Sequence, residues 1–285
     1  MPYNSLCHIE LENTEILNIF IIFPACIKIY TISVFDYMEK LICLCYAYTI
    51  TMIEYVVPSN IDDRILTRAV QILNDGGLLA LPTDTSWSLV CSLKSGEGIK
   101  KLKVLSNERD ERHFTLLCSD ISQFGELCSL DNTRFRLIKR LSPGPYAFIL
   151  KTLPGTEKAL GLRRREAGVR IPGHPLPLAL INLLGHPLYS VTAKQSMAAG
   201  YQGEFLDDED TGAATVPEMP AIPEHPAKLP PEENLFEGGW ELEGIPGLDL
   251  ILDGGEEQNR IFSTILDISG DEVKLLRQGA GPWPV

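Results

Sequence analysis

The apolar positions change period along the chain, and the changes mark the elements. From Asn60 onward Ile61, Ile65, Ala69, Ile72 and Leu73 recur at helical spacing, with Ser59 or Asn60 placed to cap the start and Gly76 to close the end. Residues 78–81 then form an apolar run short enough for a buried strand. Pro82, which has no N–H, is expected to stop the ladder there, so that Thr83, Asp84 and Thr85 project from the strand's end. Helical spacing returns over 97–105, 121–128, 132–141 and 178–184. Strand patterns occupy 114–118, 146–151, 169–171, 188–191, 248–252, 262–268 and 272–276. Ser142-Pro143-Gly144-Pro145 reads as a rigid turn into the strand at 146. Helices and strands alternate at first and strands dominate later. That order predicts an α/β protein built on one mixed twisted sheet with helices.

Two stretches break the pattern. Residues 1–51 are rich in Ile, Phe, Tyr and Cys, yet Pro24, Lys28, Asp36, Glu39 and Lys40 interrupt them before any apolar run reaches membrane-spanning length. The first arginine is Arg64 and no basic start precedes an apolar core, so neither a secretory signal nor a mitochondrial transit peptide is expected. This segment is read as an atypical N-terminal extension, with Met52 as the expected natural start. Residues 200–245 carry Asp207-Asp208-Glu209-Asp210 and then a series of prolines among Glu and Ala. With few apolar side chains to offset the entropy of ordering, the stretch is expected to be a flexible acidic insertion, either a solvated linker or a segment that folds over basic surface and competes with anionic ligands. The predicted organisation is therefore a single domain over 52–199 and 246–285, flanked by 1–51 and interrupted by 200–245.

The chain has 285 residues, 45% of them hydrophobic, which is enough for a substantial core and a soluble protein. Its net charge of −13 is unevenly spread. Residues 1–51 carry a net −3, residues 52–203 a net +5 from 19 Lys/Arg against 14 Asp/Glu, and residues 204–285 a net −15. The block that holds the polar motifs is thus basic. Seven cysteines show no zinc-type spacing and read as reduced thiols of a cytoplasmic protein, with Cys91 and Cys118 packed as small apolar residues.

Hydroxyl and carboxyl groups at a strand end, as at Thr83, Asp84 and Thr85, fit hydrogen bonding to a small polar ligand, and equally fit the capping of a loop. Arg109, Arg112 and His113 lie in a charged loop over 106–113. Arg170, between Val169 and Ile171, alternates with its neighbours and either faces outward or reaches into a site. Arg163-Arg164-Arg165 is a surface cluster or a phosphate contact. His113 reads as a local structural residue. Glycine-rich phosphate loops, metal-ligand clusters and catalytic triads are not visible.

Pro82-Thr83-Asp84-Thr85-Ser86-Trp87-Ser88-Leu89 resembles the Pro-Thr-Asp/Glu-Thr/Ser-x-Tyr-Gly-Leu signature of the YrdC/YciO family. Similar pieces follow in order: His113-Phe114-Thr115-Leu116-Leu117-Cys118, Asp131-Asn132 with Phe135-Arg136-Leu137, Pro143-Gly144-Pro145-Tyr146-Ala147-Phe148-Ile149-Leu150-Lys151, Gly168-Val169-Arg170-Ile171-Pro172 and Ser190-Val191-Thr192. The Phe-Thr-Leu and Tyr-x-Phe-Ile-Leu-Lys pieces point to the YciO branch, and the resemblance spans 52–285 apart from the acidic stretch. It implies a single YrdC-like domain with a large concave face. It also implies a threonylcarbamoyl-adenylate synthase-type nucleotidyltransferase using threonine, bicarbonate and ATP with Mg²⁺, linked to tRNA threonylcarbamoylation. Thr83 and Thr85 would hold the amino acid, and Arg109, Arg112, Arg170, Ser190, Thr192 and Lys194 the nucleotide. The sequence departs from the family's pattern at Ser106 and Glu108, where a Lys-x-Arg pair is usual, at Lys194 for asparagine, and at Trp87, Ser88 and Ala147. A protein of the same fold that binds double-stranded or structured RNA through phosphates, without synthase activity, stays open as the alternative.

Overall fold

In the computed structural model the described residues are 51–106, 114–156, 165–198 and 232–283, together with the backbone of three strands before residue 34. The chain divides into two compact units at 49/50. In the first, β1 (Cys7–Leu11), β2 (Ile16–Phe23) and β3 (Cys26–Ser33) form an antiparallel sheet in sequence order. Among the described residues no helix is long and apolar enough to cross a membrane.

The second unit is a ten-stranded mixed sheet. Its strands are β4 (Met52–Tyr55), β5 (Leu79–Pro82), β6 (Trp87–Ser92), β7 (Thr115–Leu117), β8 (Tyr146–Lys151), β9 (Glu166–Arg170), β10 (Leu188–Thr192), β11 (Leu250–Asp253), β12 (Thr264–Asp267) and β13 (Lys274–Arg277). They lie in the spatial order β13-β12-β8-β9-β7-β10-β6-β5-β11-β4. β11 runs parallel to both its neighbours, β12 pairs parallel with β8 and β7 with β9, and the other contacts are antiparallel. The mixed α/β architecture predicted from the pattern is therefore the one observed.

The expectation that Pro82 ends its ladder is corrected. β5 runs through Pro82, which sits opposite Trp87, and joins β6 in a hairpin whose turn is Thr83 to Ser86. The Thr83 N–H donates to the Ser86 carbonyl at 3.2 Å, so Thr83/Ser86 and, by alternation, Leu81/Ser88 are the hydrogen-bonded pairs. Pro82 falls between them. Its missing N–H faces the flank where the β11 ladder has already ended at Ala80, so the ladder loses nothing. Pattern reading also missed β6, whose Trp-Ser-Leu-Val-Cys-Ser run is buried on both faces and shows no clean alternation.

Helix α1 (Asp63–Asn74) is capped by Asp62, whose side chain accepts from the Arg64 N–H at 2.8 Å, rather than by Ser59 or Asn60. It ends ahead of Gly76 at φ +81°, a left-handed conformation that favours glycine. Helix α2 (Gly96–Ser106), α3 (Ile121–Leu127) and α4 (Asn132–Leu141) match the predicted spacing. Helix α5 (Pro175–Leu184) starts one turn earlier than expected, because His174 caps it through a ring nitrogen that accepts from the Leu176 N–H at 3.2 Å and Pro175 opens it without an N–H to satisfy.

Alternation along the strands sorts the core into two layers. Trp87, Leu89 and Cys91 on β6, Tyr189 and Val191 on β10, and Phe148 and Leu150 on β8 face one way, into a cluster that includes Phe124, Ile138 and Leu141 from α3 and α4. Leu79 and Leu81 on β5, Val90, Leu117, Leu188, Leu250 and Leu252 face the other way, against Leu66, Ala69 and Leu73 of α1 and Leu176, Leu180 and Ile181 of α5. Each of these buried aliphatic side chains contributes about 1.5–3 kcal/mol relative to exposure. Cys91, Cys118 and Cys128 are free and buried, and burial pushes the Cys91 and Cys128 thiols up to about 12.

The packed chain resumes earlier than composition predicts. Leu235, Phe236, Leu242 and Ile245 are buried, and the Trp87 indole N–H donates to the Glu237 carbonyl at 3.2 Å, so residues 232–245 belong to the folded unit and not to a flexible insertion. Four large apolar side chains outweigh the acidic surroundings there. Asp207 to Asp210 lie outside the described residues.

Candidate functional site

Helices α1 and α5 cover only part of their face of the sheet, and beyond their edge the same face turns polar. On β10, Leu188 lies under the helices and Ser190 and Thr192, two and four residues further, lie beyond them; on β6, Val90 is covered and Ser88 is not. Ser88, Thr115, Ser190, Thr192 and Ser263, with Ala147, Phe262 and Ile265, line a cavity of about 170 Å³. Three cationic side chains complete the wall: Arg170 at the end of β9, Arg277 at the end of β13, and Lys194 just past β10. Among the described residues no carboxylate lines it. Hydroxyls and cations converging on an open concavity make a site for a polar anion.

Arg170 is buried and held on three sides. Its Nη2 donates to Asp84 Oδ1 at 2.6 Å, Nη1 to Thr85 Oγ1 at 3.0 Å and Nε to the Gly144 carbonyl at 3.3 Å. Desolvation lowers the Arg170 pKa and the Asp84 carboxylate opposes that, so the guanidinium stays charged at neutral pH. Arg277 hangs from the other wall. Its Nε and Nη2 donate to the Ser263 carbonyl at 3.0 and 2.9 Å, and its guanidinium lies 4.5 Å from the centre of the Phe262 ring. Burial lowers its pKa too, followed by repulsion from Arg170, with Glu232 opposing. That repulsion records two like charges facing one space, which an entering anion would relieve.

Four of the eight residues expected to bind substrate line this cavity together: Arg170, Ser190, Thr192 and Lys194. Ser190 is also tied down, its Oγ donating to the Thr115 carbonyl at 2.6 Å. Thr83 and Thr85 do not line it. Thr83 Oγ1 donates to the Ser86 carbonyl at 2.7 Å and accepts from the Thr85 and Ser86 N–H groups at 3.2 Å each, so its hydroxyl is consumed by the turn; of the two uses open to it, the capping of a loop is the one observed. Thr85 acts one layer back, on Arg170. Arg109 and Arg112 lie outside the described residues, as do His113, Arg163 and Arg164. Sequence reasoning missed Arg277 and Ser263. Arg277 follows two consecutive leucines, Leu275 and Leu276, on an edge strand, so no alternation in its own sequence marks the face it takes.

Among the described residues no three acidic, histidine or cysteine side chains cluster as metal ligands, and the cavity is lined by cations and hydroxyls.

Residues 71–201 match the Sua5_yciO_yrdC family, described as "Telomere recombination". Along the sequence the chain is 29% identical to YciO of Escherichia coli K12 over 228 residues, covering 80% of this chain and 95% of YciO. It is 26% identical to the Mus musculus threonylcarbamoyl-AMP synthase over 210 residues, covering 72% and 62% of the two chains. The fold matches the crystal structure of E. coli YciO with a TM-score of 0.63 at 25% identity, over 82% of this chain and 98% of that one. It also matches P. abyssi Sua5 complexed with L-threonine, with a TM-score of 0.61 at 20% identity, over 80% and 58%. Residues 71–201 thus match the Sua5/YciO/YrdC family, and the chain is similar to YciO over nearly the whole length of that protein.

Proposed function

We propose that the cavity is the active site of a threonylcarbamoyl-adenylate synthase-type nucleotidyltransferase that condenses threonine, bicarbonate and ATP. The observation that carries this reading is the meeting of Arg170, Arg277 and Lys194 with five hydroxyls on one open sheet face. The kinship with threonylcarbamoyl-AMP synthases supports the choice of reaction. The threonine nitrogen would join bicarbonate carbon with loss of water, and the resulting carbamate oxygen would attack the α-phosphorus of ATP as pyrophosphate leaves. Such chemistry asks the protein for placement and charge compensation more than for covalent help. Arg170 and Arg277 supply guanidinium forks for carboxylate or phosphate oxygens, Ser88, Thr115, Thr192 and Ser263 hydroxyls orient the reactants, and Phe262 shields one wall from water. Mg²⁺ would arrive on the nucleotide and screen its phosphates. Purified protein should release pyrophosphate from ATP only when threonine and bicarbonate are both present. Release that ignores threonine, or none from folded protein, would sink the reading.

A second reading, binding of double-stranded RNA or tRNA through phosphates, is favoured by the exposure of Arg136, Lys139 and Arg140 on α4 and of Arg165 before β9. It predicts RNA affinity that falls steeply with salt and a shallower slope when these four charges are neutralised.

A further inference from the structure

One carboxylate serves the cavity without lining it. Asp84 sits in the hairpin turn behind Arg170, and the pair is largely removed from water, with 7% of the arginine side chain and 16% of the aspartate exposed. Only one carboxylate oxygen is used. Oδ1 accepts from Arg170, whereas Oδ2 is buried and meets no donor. The turn that carries Asp84 is itself fixed by the Thr83 hydroxyl, through one donated and two accepted hydrogen bonds. Gly173 gives the carboxylate room: a Cβ there would stand 3.3 Å from Oδ2 and 3.4 Å from Cγ.

Asp84 and Thr85 from the hairpin turn and Gly144 from a second segment take three of the five guanidinium N–H groups, which defines the plane of the fork. One N–H on each Nη is left over, on the residue that lines the cavity. A side chain with four rotatable bonds would otherwise spread over many orientations, and a ligand would have to order it on binding. We propose that Asp84, with Thr85 beside it, positions Arg170: the Thr83–Ser86 turn locks the guanidinium with its two spare N–H groups turned to the bound anion and compensates its buried charge when the cavity is empty. This assignment rests on the adenylation reading for the identity of the anion, but not for the lock itself.

The test uses the full-length chain, ¹⁵N-labelled at arginine, and inorganic pyrophosphate as the probe anion. In the wild-type protein the Arg170 Hη protons should appear as separate, slowly exchanging resonances, because rotation about the guanidinium bonds is blocked. Asp84→Asn should collapse them and weaken pyrophosphate binding about tenfold by calorimetry, the loss of one charge-assisted hydrogen bond in a buried site. Asp84→Glu should rescue both readouts. Thr85→Val removes an acceptor without touching charge, so it decides the matter if Asp84→Asn does not fold: release of the Nη1 pair supports the lock, and an unchanged spectrum with unchanged affinity overturns it. Tighter pyrophosphate binding in folded Asp84→Asn overturns it as well, since Asp84 would then compete with the ligand instead of serving it. The spectra need no turnover, so failure of the pyrophosphate-release assay would remove the reaction and leave the lock to be judged separately.

Discussion

The last ten residues of the described chain close one wall of the cavity, and Gly279→Ala tests that contact. A Cβ at Gly279 would stand 2.2 Å from the Phe262 carbonyl oxygen and 2.4 and 2.6 Å from the carbonyl carbon and oxygen of Ser263. All three are backbone atoms, so no rotamer change relieves the overlap. Gly279 and Ala280 also donate their N–H groups to Thr264 Oγ1 and the Phe262 carbonyl, each at 2.9 Å, so a tail that moves away loses both. Overpacking of this kind costs about 1–3 kcal/mol, and two lost hydrogen bonds add about 1 kcal/mol each, for a total of about 3–5 kcal/mol. With a urea m-value of about 1–3 kcal/mol/M, the unfolding midpoint should fall by about 1–2 M or more. Phe262 and Ser263 line the cavity, so anion affinity should fall with it. Gly270→Ala is the control: nothing lies within 4 Å of its Cβ and its φ is not positive, so it should be neutral or stabilise by about 0.4–1 kcal/mol. A Gly279→Ala protein within about 0.5 kcal/mol of the wild type would refute the packing argument.

Other outcomes follow from the same structure. Arg170→Met alone leaves a buried carboxylate uncompensated and Asp84→Ala alone a buried cation, so each should lower stability by about 3–5 kcal/mol in urea melts, while the double variant should recover most of the loss. Arg277→Gln keeps the Ser263 contact within reach but removes charge, and should reduce ATP affinity with little change in the unfolding midpoint. Cys91, Cys118 and Cys128 should resist iodoacetamide in the native protein at pH 8 and react only in urea, as read by peptide mass mapping, because burial keeps them protonated. The His174 and His186 pKa values are both lowered, chiefly by desolvation. The unfolded chain therefore binds protons first as pH falls below about 6.5, and stability should be at its plateau above that value and decline beneath it; Asp120, whose pKa is also lowered, adds to the decline further into acid. A midpoint that rises between pH 7 and pH 5.5 would contradict the assignment of neutral, buried histidines.

How much could be read in advance depended on whether a residue's role was local. Helices α2 to α4 and the strands around Phe148, Val169 and Tyr189 follow from spacing alone, because an amphipathic element declares its buried face in its own sequence. The alternation of Arg170 with Val169 and Ile171 left it either facing outward or reaching into a site, and Ser190 was picked out by the resemblance to the YrdC/YciO pattern and not by spacing. The role of Thr83 was not readable, since a hydroxyl in a turn looks the same whether it serves a ligand or its own backbone, and its bond to the Ser86 carbonyl exists only once the hairpin closes. Arg277 depended on a register nearly two hundred residues removed from the β5–β6 hairpin. Residues 232–245 were hidden by composition: glutamates and glycines set the average, while Leu235, Phe236 and Leu242 set the energy.

Strand β11 lies between β5 and β4, so two segments near residues 52 and 80 become joined only through one near residue 250. During synthesis the β5 edge must wait, unpaired, for about 170 further residues to emerge, and β8 waits similarly for β12. The walls carrying Ser263 and Arg277 are the last to arrive. A nascent or prematurely terminated chain would therefore hold the hairpin and most of the hydroxyls but no closed binding chamber, together with a bare strand edge of the kind that chaperones shield and aggregates recruit.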